Sequence, residues 1–222
     1  MSRTRHMRRM RRRTLLLSAL ALGLPLQALC LPVQAQAAFE PTAKDRADIA
    51  RIEAYLNGLT SLRAKFLQVA PDGSISGGQA WLARPGRLRF EYDPPAPFLL
   101  VAAHGQLVFQ DSSIRQQSQA PLSSTPLGML LAQQVKLSGD ISVTSIQRLP
   151  GEIGVSVVRT ASPGDGTLTL VFADAPLTLR QWTVLDAQRK ETRVSLFNAE
   201  LGGTFDAKLF EPEQMPNPNG GG

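Results

Sequence analysis

The chain has 222 residues, of which 43% are hydrophobic, 19% charged and 6% aromatic, a composition that argues against a disordered or collagen-like polymer and suits one globular domain. Its formal charge of +6 invites a nucleic-acid-binding reading, but seven arginines stand before residue 14 and no acid precedes Glu40. Without that leader, 17 of the 24 basic residues face 18 acidic ones, a net of −1, which argues against a domain built to neutralise phosphates.

Residues 1–37 read as an export signal. A basic segment ends at Arg13, an apolar run covers 15–24, and Ala35-Gln36-Ala37 has the A-x-A spacing that a signal peptidase reads, so cleavage is expected after Ala37. The apolar run is about half of the roughly 20 residues that a spanning helix needs. Pro25 and Gln27 then interrupt it, which disfavours a membrane anchor. Arg12-Arg13-Thr14-Leu15-Leu16 loosely matches a twin-arginine signal, but an arginine-rich leader gives that pattern by chance, and ordinary secretion of an unfolded chain is preferred. Cys30 follows Leu29, not the small residue that a lipid-attachment signal wants, and so reads as part of the leader. The mature chain then has no cysteine for a disulfide or a thiolate metal site.

Thr42 precedes Ile49, Ile52, Leu56 and Leu59 at helical spacing, Asp45 stands where a helix start favours negative charge, and Asn57-Gly58 supplies a stop. This predicts an amphipathic helix over 43–57. The period then changes to two. Leu62, Ala64 and Phe66 alternate with Arg63 and Lys65, and Pro71-Asp72-Gly73 is a turn before a strand over 78–83. Leu88, Phe90 and Tyr92 alternate with Arg87, Arg89 and Glu91, the pattern of a half-buried strand. The prolines of 93–97 restrict that stretch to an edge or a loop. A hairpin is predicted from 98–102 and 107–110 about His104-Gly105, with a further strand over 114–119. Thr125 can cap and Pro126 suits a first helical position, predicting a short helix over 127–133. Strands follow at 141–147, 153–160, 167–172, 177–185 and 192–198, and the tail from Pro212 is rich in Pro, Asn and Gly and expected to be disordered. The pattern is α+β, one large curved antiparallel sheet with short helices covering one face.

Catalytic constellations are absent from this pattern. His104, the one histidine after the leader, sits in a hairpin turn and reads as solvated, so no base is placed against a nucleophile. One histidine without cysteine argues against zinc or copper, and no cofactor is expected. Gly77-Gly78 and Gly202-Gly203 lack the Lys-Ser/Thr or helix start of a phosphate loop and suit bulges or curvature instead. Arg84 stands out, although the residues by themselves favour a solvated arginine near a strand end. It shares parity with Leu88, Phe90 and Tyr92, which would put a guanidinium at the end of an apolar face, although Pro85-Gly86 can break that parity.

Several stretches together resemble the LolA family of periplasmic lipoprotein carriers. Leu62-Arg63-Ala64-Lys65-Phe66-Leu67-Gln68 is similar to its first-strand segment. Gly78-Gln79-Ala80-Trp81-Leu82-Ala83-Arg84-Pro85, followed by Leu88-Arg89-Phe90-Glu91-Tyr92, is similar to its most recognisable motif. Leu99-Leu100-Val101-Ala102, Gln106-Leu107-Val108-Phe109, Ser124-Thr125-Pro126-Leu127 and Asp206-Ala207-Lys208-Leu209-Phe210 recur in order, so the resemblance covers about 42–213. It implies an incomplete, strongly curved antiparallel β-barrel with short helices forming a lid over a hydrophobic cavity, as one domain over 38–213 with a tail at 214–222.

The resemblance also implies a function. A soluble periplasmic monomer would take acylated lipoproteins from an ATP-driven, LolCDE-like release complex of the inner membrane and pass them to a LolB-like outer-membrane receptor, if one is present. It implies no nucleic-acid partner and no enzymatic activity. Arg84 matches the arginine that latches the lid. Leu88 and Phe90 match positions in the acyl-chain cavity wall, and Leu56, Leu130 and Leu131 match lid positions. Gly128 inside the short helix would loosen the lid there. Competing readings are a same-fold anchored acceptor or lipoprotein sensor, a carrier of another lipid, and, most weakly, a secreted hydrolase.

Overall fold

The computed structural model describes residues 39–214. The leader read at 1–37, with its cleavage site and Cys30, and the tail from residue 215 onward lie outside the described residues. Helix α1 spans Ala43–Gly58 and precedes β1 (Ser61–Val69), β2 (Ile75–Ala83), β3 (Arg87–Tyr92), β4 (Phe98–Ala103), β5 (Gln106–Asp111) and β6 (Gln116–Pro121). A five-residue helix α2 (Pro126–Leu130) follows, then β7 (Ile141–Leu149), β8 (Glu152–Arg159), β9 (Gly166–Asp174), β10 (Leu177–Asp186) and β11 (Glu191–Leu201). The strands form one curved sheet in the order β6-β5-β4-β3-β2-β1-β11-β10-β9-β8-β7. Two meanders, each built from sequence neighbours, meet where β1 pairs with β11, and every pairing is antiparallel. The incomplete barrel with a helical lid is therefore the fold.

The concave face carries the main core. Leu62, Ala64 and Phe66 of β1, Leu88 and Phe90 of β3 and Leu168, Leu170 and Phe172 of β9 are buried against Ile52 and Leu56 of α1. The two-residue period places these side chains on one face, and the helical period places Ile52 and Leu56 on one stripe. Edge-to-face rings line part of this wall, with Phe66 4.6 Å from Phe90 and Phe90 5.8 Å from Trp182, centroid to centroid.

Five local expectations are corrected. Strand β6 begins at Gln116, and Ile114 is left exposed in the preceding turn. Helix α2 ends at Leu130, short of the predicted 133, because the following residues bond to α1 and Arg84. The convex face of β3 is not solvated at Arg89, which is buried under the C-terminal segment. There Phe210 packs on Ala83, Leu99, Val101 and Ala103, and Arg89 donates to Leu209 O and Glu213 Oε1. Glu213 also exchanges two backbone bonds with the Gln110 side chain, so residues 212 and 213 belong to the domain and not to a loose tail. Finally, no register shift falls at Gly77 or Gly78. A Cβ on Gly78 would lie 2.0 Å from Glu91 O and 2.8 Å from the Phe66 ring, so this glycine answers a close approach between strands.

Candidate functional site

Arg84 leaves the end of β2 with its backbone N–H bonded to Thr60 O at 2.8 Å, which fixes the turn against the segment joining α1 to β1. From there its guanidinium points under the helices. Nη1 donates to Leu56 O in the last turn of α1. Nε and Nη2 donate to Ala132 O at 3.0 and 2.6 Å, and Nη2 reaches Gln133 O at 3.3 Å, just beyond α2. Two residues on, in the same turn, Gly86 N–H donates to Leu131 O at 2.9 Å. One β2–β3 turn thus grips both pieces of the helical cover. The α1 C-terminus has no basic residue of its own, so Arg84 supplies the cation that its exposed carbonyls favour.

Every hydrogen-bond partner of the Arg84 side chain among the described residues is a neutral carbonyl. Burial pulls its pKa below the usual arginine value, and no carboxylate among the described residues pairs with it. Charge-assisted bonds to carbonyls contribute roughly 1.5–3 kcal/mol each, against several kcal/mol for partly desolvating the cation. The net contribution is therefore modest, because the bonds are set against that desolvation.

The segment after α2 is zipped to α1 by side chains that sequence reasoning missed. Asn57 donates to Val135 O and accepts from Val135 N–H, both at 2.9 Å, and Glu53 Oε1 accepts from Leu137 N–H at 2.5 Å. Asn57 was legible only as a helix stop, whereas its amide completes a pairing 78 residues away. At the start of α2, Thr125 caps the helix by accepting from Gly128 N–H, and Pro126 occupies the first turn as expected. Gly128 does not loosen the lid. A Cβ there would lie 2.3 Å from Leu122 O, so only glycine lets α2 sit on the preceding turn.

Beneath the lid the hollow is uneven. A cavity of about 240 Å³ opens beside Thr125, Pro126 and Leu127 and is walled by Phe90, Leu100, Leu107, Trp182, Val184 and Val194, with Gln68 and Thr192 at its rim. Tyr92 donates to Gln68 Oε1 at 2.8 Å, and burial pushes its phenol up to about 12. Deeper in, only about 10 Å³ remains between Leu56, Met129, Leu130, Val157 and Leu170. Of the expected cavity residues, Phe90 faces the open part, and Leu56 and Leu130 border the small void. Leu88 and Leu131 are packed into the core at 1% exposure each. The apolar wall is thus largely filled by the lid itself.

The amino end of α1 is held differently. Thr42 and Asp45 form a capping box, and Arg148 of β7 reaches Asp45 Oδ1 at 2.6 Å and Asp48 Oδ2 at 2.5 Å. Arg51 bridges Asp48 at 2.8 Å and Asp174 of β9 at 2.6 Å. The Thr42 hydroxyl bond and then Arg148 hold Asp45 down at about 2. Burial pushes Asp48 upward, but bonds from Arg148 and Arg51 together outweigh it and lower it. His104 lies in the β4–β5 turn, exposed, with Nε2 3.2 Å from Glu211 Oε1. Among the described residues no group of three or more His, Cys, Asp or Glu is placed to hold a metal.

The family model described as outer membrane lipoprotein carrier protein LolA matches residues 57–213. An outer-membrane lipoprotein carrier protein of Methylococcus capsulatus is 27% identical over 170 residues, 72% of this chain and 81% of its own. One of Pseudomonas paraeruginosa is 26% identical over 215 residues, 92% of this chain and 95% of its own. Among solved structures, a LolA superfamily protein from Nitrosomonas europaea aligns with a TM-score of 0.40 at 11% identity, over 74% of this chain and 97% of its own.

Proposed function

The chain belongs to the LolA family of outer-membrane lipoprotein carrier proteins, and from that premise we propose that it is a soluble periplasmic shuttle. It takes up the acyl chains of lipoproteins leaving the inner membrane and delivers them to the outer membrane. The export signal read at 1–37 supports the compartment, and no helix among the described residues is long and apolar enough to cross a membrane.

The observation that carries this reading is Arg84, a cation bonded only to carbonyls of α1 and of the segment after α2, above an apolar wall. An acyl chain in water is unfavourable by about 0.8 kcal/mol per CH₂, so a 16-carbon chain carries roughly 12 kcal/mol. A carrier needs a matching apolar surface that is not left wet when empty. The lid meets that need by laying Leu56, Leu130 and Leu131 into the hollow. Arg84 holds the lid there, and cargo replaces the lid side chains when it enters. Arg84 acts as the latch; Phe90 and Leu88 are wall; Leu56, Leu130 and Leu131 are the part of the cover that cargo displaces. No catalytic step is assigned to the site. The donor is an ATP-driven, LolCDE-like complex and the acceptor a LolB-like receptor where one exists.

The test is release from membranes. Spheroplasts bearing a labelled outer-membrane lipoprotein are mixed with purified chain lacking residues 1–37. A soluble one-to-one complex is expected. A folded protein that releases nothing, beside a known carrier that does, moves the function to another lipid or to sensing.

A further inference from the structure

We propose that Arg159 is a second positioning residue of the carrier cycle: it closes the neck of the loop that bears α2, and the loop swings about this neck when Arg84 lets go. The proposal rests on the carrier reading and adds a pivot to its latch. Residues 125–140 lie between β6 and β7, the two edge strands of the sheet. Both ends of this stretch return to the end of β8. Arg159, the last residue of β8, donates from Nη2 to Thr125 O at 2.8 Å. The next residue, Thr160, donates from its N–H to Asp140 O at 3.0 Å and from its hydroxyl to Gly139 O at 2.6 Å. Two adjacent residues thus hold both ends of 125–140, which has the closed neck and the length of a compact surface loop. The far part of the loop is held by other elements. Arg84 and Gly86 donate to carbonyls of residues 131–133, and Asn57 and Glu53 hold Val135 and Leu137 to α1.

The neck is held by bonds and not by filled core. A hollow of about 290 Å³ is lined by Ser123 and Gly128 from one limb, by Lys136, Ser138 and Asp140 from the other, and by Arg159. Arg159 is half-buried and pairs with no carboxylate among the described residues, so no ion pair competes for its bond to Thr125 O. That carbonyl is also the first acceptor of α2, taking Gly128 N–H at 3.1 Å, and the cation therefore grips the start of the helix itself. A cation gains nothing from backbone dipoles at a helix start, unlike Arg84 at the carboxyl end of α1, so the carbonyl bond is what favours Arg159 there. Pro126 leans on Gly166, the first residue of β9, closely enough that a Cβ on Gly166 would lie 3.3 Å from its ring. Arg84 bonds to two pieces of the cover that must part for cargo to enter, Leu56 of α1 and Ala132. Arg159 instead joins the loop to the strand end where Thr160 already anchors it. Release of Arg84 frees the far part of the loop and leaves the neck closed.

The test follows amide hydrogen exchange in the purified chain lacking residues 1–37. The Gly86 amide, bonded to Leu131 O, reads the far part of the loop, and the Gly128 and Thr160 amides read the two limbs of the neck. Two states are compared with the empty wild-type chain: Arg84→Leu without cargo, and wild type loaded with a synthetic triacylated lipopeptide. In both, Gly86 exchange is expected to rise about tenfold or more while Gly128 and Thr160 stay protected. Arg159→Met should accelerate Gly128 exchange about tenfold and pass lipoprotein to an acceptor membrane about threefold to tenfold more slowly, because a lid without its pivot recloses poorly. Arg159→Lys should restore both, since one donor to one carbonyl suffices at this position. Gly128 exchange that rises together with Gly86 in either state overturns the proposal. So does normal transfer by Arg159→Met, which would leave Arg159 a purely structural role, or failure of Arg159→Lys to restore transfer. If Arg159→Met does not fold, the Arg84→Leu and loaded wild-type measurements decide by themselves. A lipopeptide that fails to bind refutes the carrier reading, and the empty Arg84→Leu chain then still decides whether the neck is a pivot.

Discussion

The two ends of α1 are fastened to the same sheet by different chemistry. At the amino end, Arg148 and Arg51 join Asp45, Asp48 and Asp174 in an alternating row of full charges. At the carboxyl end a single cation, Arg84, meets only carbonyls. Opening the first end strands several charges at once, whereas opening the second exchanges neutral acceptors for water. The two fastenings thus differ in their counter-ions and not in the number of their bonds.

The largest expected effect is therefore at Arg84, the residue proposed above to latch the lid. Arg84→Leu should still load lipoprotein but pass it on at least tenfold more slowly to an acceptor membrane, because the closed empty state no longer competes with cargo. Normal transfer by that variant would remove the functional half of the comparison. Asn57→Ala comes next. It takes away both bonds to buried Val135, a loss of about 2 kcal/mol, and should raise hydrogen exchange at the Val135 and Leu137 amides without affecting the amino turn of α1. Exchange that rises equally along α1 would show the helix to move as one body. The ion pairs at the amino end of α1 give the smallest effect near neutral pH. Asp45 is depressed in the folded state, so its contribution is complete above the ordinary carboxylate range and is lost as pH falls through about 4 toward 2. Asp48 shifts in the same direction and adds to it. Acid titration of the melting temperature should fall in that window, and Arg148→Met should both flatten the titration and lower the neutral-pH melting temperature by roughly 2–4 °C.

Much of this architecture was legible in local pattern. The capping box of Thr42 and Asp45, the alternation of Leu62, Ala64 and Phe66, the His104-Gly105 turn and the Thr125-Pro126 helix start each depend on neighbours within a few residues. What was hidden depends on distant partners. Arg148 lies 103 residues from Asp45, and nothing near either residue announces the pair. Arg89 sits in a strand whose alternation reads as solvated, and only the returning C-terminal segment buries it. Gly128 looked permissive because the oxygen that excludes its Cβ belongs to a separate turn, at Leu122. Arg84 stood between these cases. Its parity was visible, but its acceptors are backbone atoms, which carry no side-chain signature.

The sheet order has a consequence for how the chain reaches its native state. Each meander consists of hairpins between adjacent strands, and these form on microsecond timescales from short loops. The one ladder that joins the meanders, β1 with β11, brings Leu62 beside Leu201. Its loop-closure entropy must be met before any of its contacts stabilise the chain, so it is the slow step of assembly. Until it forms, β1 and β11 present unpaired edges with Phe66 and Leu196 uncovered. A newly made molecule is thus most prone to aggregate through the very strands that end at the centre of the finished sheet.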